Sequence, residues 1–340
     1  PTIPVLIMHK PHIVIIGTGG TIVCSGTTGA QMTGYSIQGL NISNIVAAVP
    51  ALNEIANLRA VPLFNIGSCN VKLSNWIKLA LTINQLAINS DIDGFVVTHG
   101  TDTLEETAFF LHLTLKTAKP VVLTGSMRPA TAISADGPLN LLNAVRLASS
   151  EDAYGKGVLV AMNGQIHSAR DVSKTNTVAV DTFASPSSGP LGYIIGEQID
   201  FLTQSIKPHT LTSEFRILEE DAAQAFPEVD IVLLHGDENV DRLKACINHG
   251  ADGIILEATG NGSVPVELEN VLNSLEKKTA IVRASRTGSG PVTQGLPNWQ
   301  KMGLIPAGTL SAQKSRILLQ LALHKFGNRT TELERVFKTY

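Results

Sequence analysis

The sequence of 340 residues is poor in cysteine, in aromatic side chains and in charge. Its three cysteines, Cys24, Cys69 and Cys246, lie far apart, and none belongs to a Cys-x-x-Cys pair, so neither a zinc site nor a disulfide framework is indicated. Charged residues make up 16%, and the 26 basic residues are balanced by 29 acidic ones without a basic block, so we expect no nucleic-acid partner. No apolar run approaches the roughly 18 residues of a membrane span, so we expect no membrane partner.

The first ten residues, PTIPVLIMHK, lack both an initiating methionine and the charged-then-apolar pattern of a secretory signal. Two expectations are open. Processing removed a leader, or the protein is cytoplasmic and lost its methionine before Pro1. Hydrophobic residues make up 44% of the chain, which predicts a compact globular protein, and the length allows two domains.

Short apolar runs alternate with longer amphipathic stretches along the chain. Continuously apolar runs predict strands that are covered on both faces, and therefore a layered α/β/α fold with a mainly parallel sheet. The predicted strands are His12–Ile16, Gly94–Thr98, Pro120–Thr124, Gly157–Met162, Ile231–Leu234, Gly253–Leu256 and Ala280–Arg283. The predicted helices include Ser74–Ile88, Leu104–Leu115, Leu139–Ser149, Asn239–His249 and Val266–Leu275.

A polar segment containing a proline separates two series of strands and helices. It predicts an N-terminal domain of residues 1–205, a linker of residues 206–225 and a C-terminal α/β domain of residues 226–340. The C-terminal series has fewer strands, so we expect its domain to be the smaller one.

A glycine-rich turn, Gly17–Gly20, follows the first predicted strand and leads to Thr21. It could be a phosphate loop, a turn that presents an accessible nucleophile, or a plain tight turn. The dinucleotide fingerprint Gly-x-Gly-x-x-Gly fails, because Ile22 occupies its third glycine position and no acid follows about 20 residues later. A Rossmann-type nucleotide module is therefore rejected. The Gly-x-Ser-x-Gly elbow of serine hydrolases and the His-Glu-x-x-His zinc motif are also absent.

A second segment of this kind, THGTDTLEET (Thr98–Thr107), starts at the end of another predicted strand. Thr103-Leu-Glu-Glu106 matches a capping box, so we expect a helix to begin at about Thr103. Thr101 and Asp102 would then lie where open α/β sheets bind ligands and where free N–H groups favour a carboxylate or an oxyanion. The alternative is that both residues only cap the helix.

Two further segments carry candidate site residues. In the first, Asp136-Gly137-Pro138 predicts a cap and a first-turn proline for the next helix. The irregular, small-residue stretch before it is typical of a loop that shapes a pocket. In the second, Lys174 stands among hydroxyl residues. It is either a solvated surface charge or, if buried, a base whose pKa is lowered by desolvation.

Together the four segments resemble the bacterial-type L-asparaginase family, from about His12 to Tyr340. The resemblance favours the type II-like, exported high-affinity branch and the glutaminase-asparaginases beside it. The fold class that we expect is two α/β/α domains, a larger N-terminal mixed sheet with flavodoxin-like layering and a smaller C-terminal parallel sheet. The similar stretches are Thr18–Ile22, Thr98–Thr103, Met127–Pro129, Ser134–Pro138, Arg170–Asn176 and Leu310–Leu323.

The resemblance implies roles for five catalytic residues. Thr21 matches the primary nucleophile, and Tyr35 matches its phenol partner on a loop whose glycine, serine and threonine content is typical of a mobile lid. Thr101, Lys174 and Asp102 match a second group, a threonine–lysine–acid triad in which Asp102 also holds the amino group of the substrate. A hydroxyl is a weak nucleophile at neutral pH, so such a site needs a proton acceptor within hydrogen-bond reach.

The resemblance also implies substrate contacts and shows two departures. Ser68 matches the residue that binds the α-carboxylate. Cys69 and Asn70 follow it, where the family usually has glutamine and an acid. Asn261 matches a residue that reaches the active site of a neighbouring subunit, but Pro291–Gly303 contains no acid where the family supplies a glutamate to that site. We therefore expect weaker binding of the amino group and a broader substrate range.

The implied activity is hydrolysis of L-asparagine to L-aspartate and ammonia through a threonyl acyl-enzyme, with L-glutamine as a secondary substrate and no metal or cofactor. Two alternatives stay open: a glutaminase-asparaginase with comparable activity on both amides, and a catalytically impaired amino-acid-binding homologue. The family implies a homotetramer, built as a dimer of close dimers. The exported branch suggests a periplasmic location, and a cytoplasmic location stays open as the alternative.

Overall fold

The computed structural model describes residues 10–33, 42–275 and 279–340. Tyr35, the expected phenol partner of Thr21, lies outside the described residues. Within them the chain forms fourteen strands and ten α-helices. The strands are β1 (His12–Gly17), β2 (Asn57–Pro62), β3 (Gly94–Thr98), β4 (Val121–Thr124), β5 (Val158–Met162), β6 (Gln165–Ser168), β7 (Ser173–Lys174), β8 (Phe183–Ala184), β9 (Gly192–Ile195), β10 (Gln198–Phe201), β11 (Val229–Leu233), β12 (Gly253–Ala258), β13 (Ala280–Ser285) and β14 (Ile305–Pro306). The helices are α1 (Ile42–Ala47), α2 (Leu52–Ile55), α3 (Leu73–Ala87), α4 (Leu104–Thr114), α5 (Gly137–Ala148), α6 (Asp241–His249), α7 (Val266–Asn273), α8 (Pro297–Lys301), α9 (Ala312–Phe326) and α10 (Thr330–Thr339).

Eight strands form one mixed sheet in the order β10-β9-β6-β5-β4-β3-β1-β2. Strands β1 to β5 pair in parallel, and β6, β9 and β10 extend the sheet with antiparallel pairings. The expected large mixed N-terminal sheet is thus confirmed. Strands β7 and β8 form a separate antiparallel ribbon.

Helices cover both faces of this sheet. On β1, Ile13 and Ile15 join the core formed with α1, α2 and α5, whereas Val14 and Ile16 join the opposite core with α3 and α4. All four side chains are buried. Burying one such side chain stabilises the fold by about 1.5–3 kcal/mol, so both helix layers are held against the strand that precedes the turn of Thr21.

The C-terminal sheet is smaller and parallel, in the order β11-β12-β13-β14, as expected. Helix α9 packs on its first three strands and also on α4 of the N-terminal part. Buried residues of α9, such as Leu318 and Leu319, therefore belong to the same core cluster as residues of α4. The N-terminal and C-terminal parts are joined by a continuous hydrophobic core.

The segment predicted as a linker is irregular but packed. It contains two 3₁₀ turns, Thr210–Thr212 and Glu219–Ala223, and buries Phe215 and Ile217 between them. Lys116 fixes it further by donating to the carbonyls of Thr210 and Ser213, at 2.7 and 2.6 Å. Among the described helices, none is both long and apolar enough to cross a membrane.

Candidate active site

A cavity of about 540 Å³ opens beyond the carboxyl ends of β1 and β3. Ligands bind at this edge in open α/β sheets. Its wall also includes the loop containing Met32, the residues Met127 and Arg128, and residues 177–179. Six of the predicted site residues line the cavity: Thr21, Ser68, Cys69, Thr101, Asp102 and Lys174.

The turn that carries Thr21 is locked to its neighbours through main-chain contacts. Thr18 donates twice to the carbonyl of Thr98, at 3.1 Å from its N–H and 2.7 Å from its hydroxyl. Gly20 has a φ of +89°, and a Cβ there would lie 2.3 Å from the Gly100 nitrogen. Glycine is thus required both by the backbone conformation and by the space. A short 3₁₀ turn then begins at Thr21, and Thr21 lines the cavity.

Thr101, Asp102 and Lys174 form one hydrogen-bonded group. The Lys174 ammonium donates to Thr101 Oγ1 at 3.0 Å and to Asp102 Oδ1 at 2.6 Å. Thr101 is buried, the side chain of Lys174 is 16% exposed, and that of Asp102 is 64% exposed. Because Asp102 is open to solvent, its ion pair with Lys174 adds little to the stability of the fold. The ion pair instead holds the lysine nitrogen next to the hydroxyl of Thr101.

The helix cap expected at Thr103 forms only in part. Helix α4 does begin at Leu104, but Thr103 makes no side-chain capping bond. Its hydroxyl donates instead to the carbonyl of Ser68, at 2.8 Å. Thr103 therefore ties the loop of Ser68 and Cys69 to the loop of Thr101, and Cys69 projects as an exposed residue into the cavity.

Asp136 differs from its expected role in a similar way. Helix α5 begins directly after it and has proline in its first turn, but the carboxylate does not cap the helix. It accepts instead from the N–H groups of Met127 and Arg128, at 2.8 and 2.9 Å. The aspartate therefore fixes the loop that forms one wall of the cavity.

A buried histidine supports the Thr101 loop, and the sequence analysis did not identify it. His99 Nδ1 lies 2.7 Å from the Gly100 carbonyl, its Nε2 lies 2.8 Å from Thr107 Oγ1, and Trp76 donates to that hydroxyl at 2.7 Å. Burial lowers the pKa of His99 to about 4, so the ring is neutral at physiological pH. The proton that this network assigns to Nδ1 lets His99 donate to the Gly100 carbonyl and fixes that peptide.

Cys24 also lines the cavity but is unsuited to act as a nucleophile. Its thiol donates to the carbonyl of Gly20 at 3.1 Å, and burial raises its pKa to about 11. Because the thiolate is the reactive form, this cysteine is inert near neutral pH.

Asn261 does not line this cavity within the same chain. Its amide bonds twice to Thr293, at 2.8 Å each, and thereby joins the loop after β12 to the loop after β13. The buried Arg283 clamps both loops by donating to the carbonyls of Asn261, Gly262, Thr293 and Gln294. Sequence analysis missed this clamp.

A second cavity, of about 450 Å³, lies between the N-terminal and C-terminal parts. Among the described residues, Lys174 alone lines both cavities, so it lies between them. Among the described residues, no cluster of three or more His, Cys, Asp or Glu side chains could hold a metal ion.

These features define the class of protein: an α/β enzyme whose cavity, at the carboxyl edge of the sheet, combines hydroxyl groups with a lysine–aspartate pair. The comparison with known proteins names the family. Residues 12–207 match the family model "Asparaginase, N-terminal", and residues 228–337 match the "Glutaminase/Asparaginase C-terminal domain". The chain belongs to the asparaginase family.

Curated relatives and a solved structure agree with this assignment. The chain is 44% identical to a probable periplasmic L-asparaginase of Haemophilus influenzae, over 92% of this chain and 88% of that protein. It is 41% identical to a glutaminase-asparaginase of Pseudomonas fluorescens, over 97% of this chain and 90% of that protein. The crystal structure of a probable cytoplasmic L-asparaginase from Campylobacter jejuni superposes with a TM-score of 0.92 at 40% identity, covering 97% of this chain and all of that one.

Proposed function

We propose that this protein hydrolyses the side-chain amide of L-asparagine to give L-aspartate and ammonia, with L-glutamine as a secondary substrate. The observation that carries the proposal is the convergence of Thr21 and the group Thr101, Lys174 and Asp102 on one cavity. The names of the relatives, L-asparaginase and glutaminase-asparaginase, support the same reaction.

In the proposed reaction, Thr21 Oγ1 attacks the amide carbon and its proton passes to a base. The tetrahedral intermediate collapses, the amide nitrogen takes a proton, and ammonia leaves behind an aspartyl ester on the threonine. Water then attacks the ester carbonyl and releases aspartate, and the threonine recovers its proton. Tyr35 is the proposed base for Thr21, by resemblance to the family.

The triad offers a second candidate for the attacking group. Lys174 Nζ lies 3.0 Å from Thr101 Oγ1, which is within the reach needed for proton transfer. In the proposal Thr101 and Lys174 act in the second half of the reaction, when water is activated. If Thr101 attacked first, the same geometry would serve the first half.

Substrate orientation is assigned to the rim of the cavity. Ser68 would bind the α-carboxylate, and Asp102 would hold the α-ammonium group. Cys69 replaces a family glutamine beside them and offers only a weak donor. We therefore expect selectivity for the α-amino group to be low in this protein.

The test compares ammonia release from asparagine and from glutamine by the wild type and by Thr21→Ala. The variant should lose more than about a hundredfold in kcat. Thr82→Ala is the matched control, because this hydroxyl bonds only to a carbonyl of its own helix, that of Lys78, away from the cavity. Near-wild-type turnover by Thr21→Ala would refute the assignment. Equal kcat/KM for the two amides would favour the glutaminase-asparaginase alternative.

A trapping experiment identifies the attacking threonine. Acid quench during the first turnover, followed by peptide mass spectrometry, should place the aspartyl ester on the peptide that contains Thr21. An ester on the peptide of Thr101 would instead show that the lysine-bonded threonine attacks first.

We further propose a homotetramer of close dimers, in which Asn261 of one subunit completes the site of its neighbour. The position of Asn261 outside its own cavity supports this arrangement. Thr21→Ala and Asn261→Ala subunits, each nearly inactive alone, should regain activity when mixed, because one site of each hybrid dimer then has both native residues. Failure of the mixture, after subunit exchange has been verified, would contradict the shared site.

A further inference from the structure

Glu105, in the first turn of α4, links Lys174 to helix α9. One of its carboxylate oxygens accepts from the Lys174 backbone N–H at 2.5 Å, and the other accepts from the Gln313 side-chain amide at 2.9 Å. Glu105 is 4% exposed. Both oxygens of this buried carboxylate are therefore engaged, one by the segment of Lys174 and one by α9.

Lys314, the next residue of α9, fixes the same segment from another side. Its ammonium is buried and donates to the carbonyl of Arg170 at 2.8 Å and to that of Val172 at 2.5 Å. Burial lowers the pKa of Lys314 to about 8, and the nearby carboxylates of Glu105 and Asp171 favour its charged form. The ammonium thus holds the main chain directly before Lys174.

Helix α9 is a firm support for these contacts. Ser311 caps it by accepting from the Lys314 N–H at 3.3 Å. The helix is buried along most of its length and packs on α4 and on the C-terminal sheet. The ribbon that contains Lys174 has only two residues in each strand, and so short a pair is not stable by itself.

We propose that Gln313 and Lys314 are positioning residues, through which the C-terminal part of the chain holds Lys174 against Thr101 and Asp102 of the N-terminal part. This inference rests on the proposed function of Lys174. Neither residue touches the cavity that holds the substrate. They act through Glu105 and through the main chain of residues 170–172. Because reacting groups displaced by about 1 Å can lose as much as a hundredfold in rate, a loose lysine would lower kcat.

The test compares Gln313→Met with Gln320→Met. Both glutamines lie on α9 and each donates one side-chain hydrogen bond, but Gln320 donates to the Pro227 carbonyl, remote from Lys174. Gln313→Met should lower kcat for asparagine about tenfold, with KM within about twofold of wild type. Gln320→Met should leave kcat unchanged. The melting temperature should fall further in Gln313→Met than in Gln320→Met, because the first variant removes a donor from a buried carboxylate and the second removes one from a neutral carbonyl.

Equal kcat values for the two variants would overturn the proposal. A crystal structure of Gln313→Met gives a readout that does not depend on activity. We expect Lys174 Nζ to move out of hydrogen-bond range of Thr101 Oγ1, and an unchanged contact would also overturn the inference. An inactive wild type would instead refute the proposed function, and the crystallographic comparison would then decide the positioning proposal alone.

Discussion

Replacing Gly20 by alanine should lower both the activity and the stability of the protein, and a matched glycine variant separates the two effects. A Cβ at this position would lie 2.3 Å from the nitrogen and 2.4 Å from the Cα of Gly100. Both atoms belong to the main chain, so no rotation of a side chain relieves the overlap. Because non-bonded carbon atoms prefer separations of about 3.5–4.0 Å, the turns that carry Thr21 and Thr101 must move apart by roughly 1 Å.

Two costs add in this variant. The backbone of Gly20, at φ +89° and ψ −175°, lies in a region that is essentially restricted to glycine and costs an alanine about 1–3 kcal/mol, and overpacking costs about 1–3 kcal/mol more. The free energy of unfolding should therefore fall by about 2–6 kcal/mol. Since the shift of roughly 1 Å occurs between two reacting groups, kcat should fall about a hundredfold.

Gly155→Ala is the matched control. Gly155 also has a positive φ, of +72°, but nothing lies within 4 Å of its ideal Cβ. This variant should lose only the backbone cost, about 1–2 kcal/mol, and keep wild-type kcat. Urea denaturation followed by circular dichroism and an ammonia assay would measure both quantities. Equal stability losses in the two variants, or a kcat of Gly20→Ala close to that of the control, would refute the reasoning.

Three further predictions concern single side chains. Lys174→Met should lower kcat more than about a hundredfold in an ammonia assay, whereas the exposed Lys244→Met should not, and similar rates would argue against a catalytic lysine. Cys69→Gln adds an amide beside the proposed ammonium site, so kcat/KM for asparagine, divided by kcat/KM for the analogue that lacks the amino group, should rise about tenfold. An unchanged ratio would show that residue 69 does not contact the ammonium group. Burial lowers the pKa of His167 from 6.5 to about 4. Between these pH values the histidine is protonated in the unfolded state but not in the folded state, so the free energy of unfolding falls as the pH falls. His167→Asn should reduce this loss, measured by urea denaturation at pH 7 and 4.5, by about 2–3 kcal/mol, while the exposed His249→Asn should keep the full pH dependence.

The sequence was informative where a local pattern has one physical cause. The run of Ile13–Ile16 is apolar throughout because its two faces enter two different cores, and it lies within an interior parallel strand. Strands β9 and β10 are absent from the predicted strands. In β10 the exposed Gln198 and Asp200 alternate with the half-buried Ile199 and Phe201, and this short pattern was overlooked. In β9 an exposed position is apolar. Ile195, for example, faces solvent at 75% exposure. Alternation of polar and apolar residues therefore gives no signal in β9.

The candidate site was predictable only in part for a related reason. Thr21, Thr101 and Lys174 stand in short motifs whose resemblance to a family implied one shared site, and all three line one cavity in the structure. Glu105 has partners 69 and 208 residues away in the sequence, so its role depends on tertiary contacts that no local pattern encodes. The motif around Thr103 predicted the start of the helix correctly, but its hydroxyl bonds to the adjacent loop instead of the helix.

The Arg283 clamp has a consequence for the missing acid in residues 291–303. Because one buried guanidinium binds carbonyls of both loops, the loops behave as a single rigid platform whose shape depends on main-chain groups. The side chains on its surface can then change without altering the platform, and Leu296, at 52% exposure, is one such position. We therefore expect a single change at such a position, Leu296→Glu, to present a carboxylate from the platform without altering its shape.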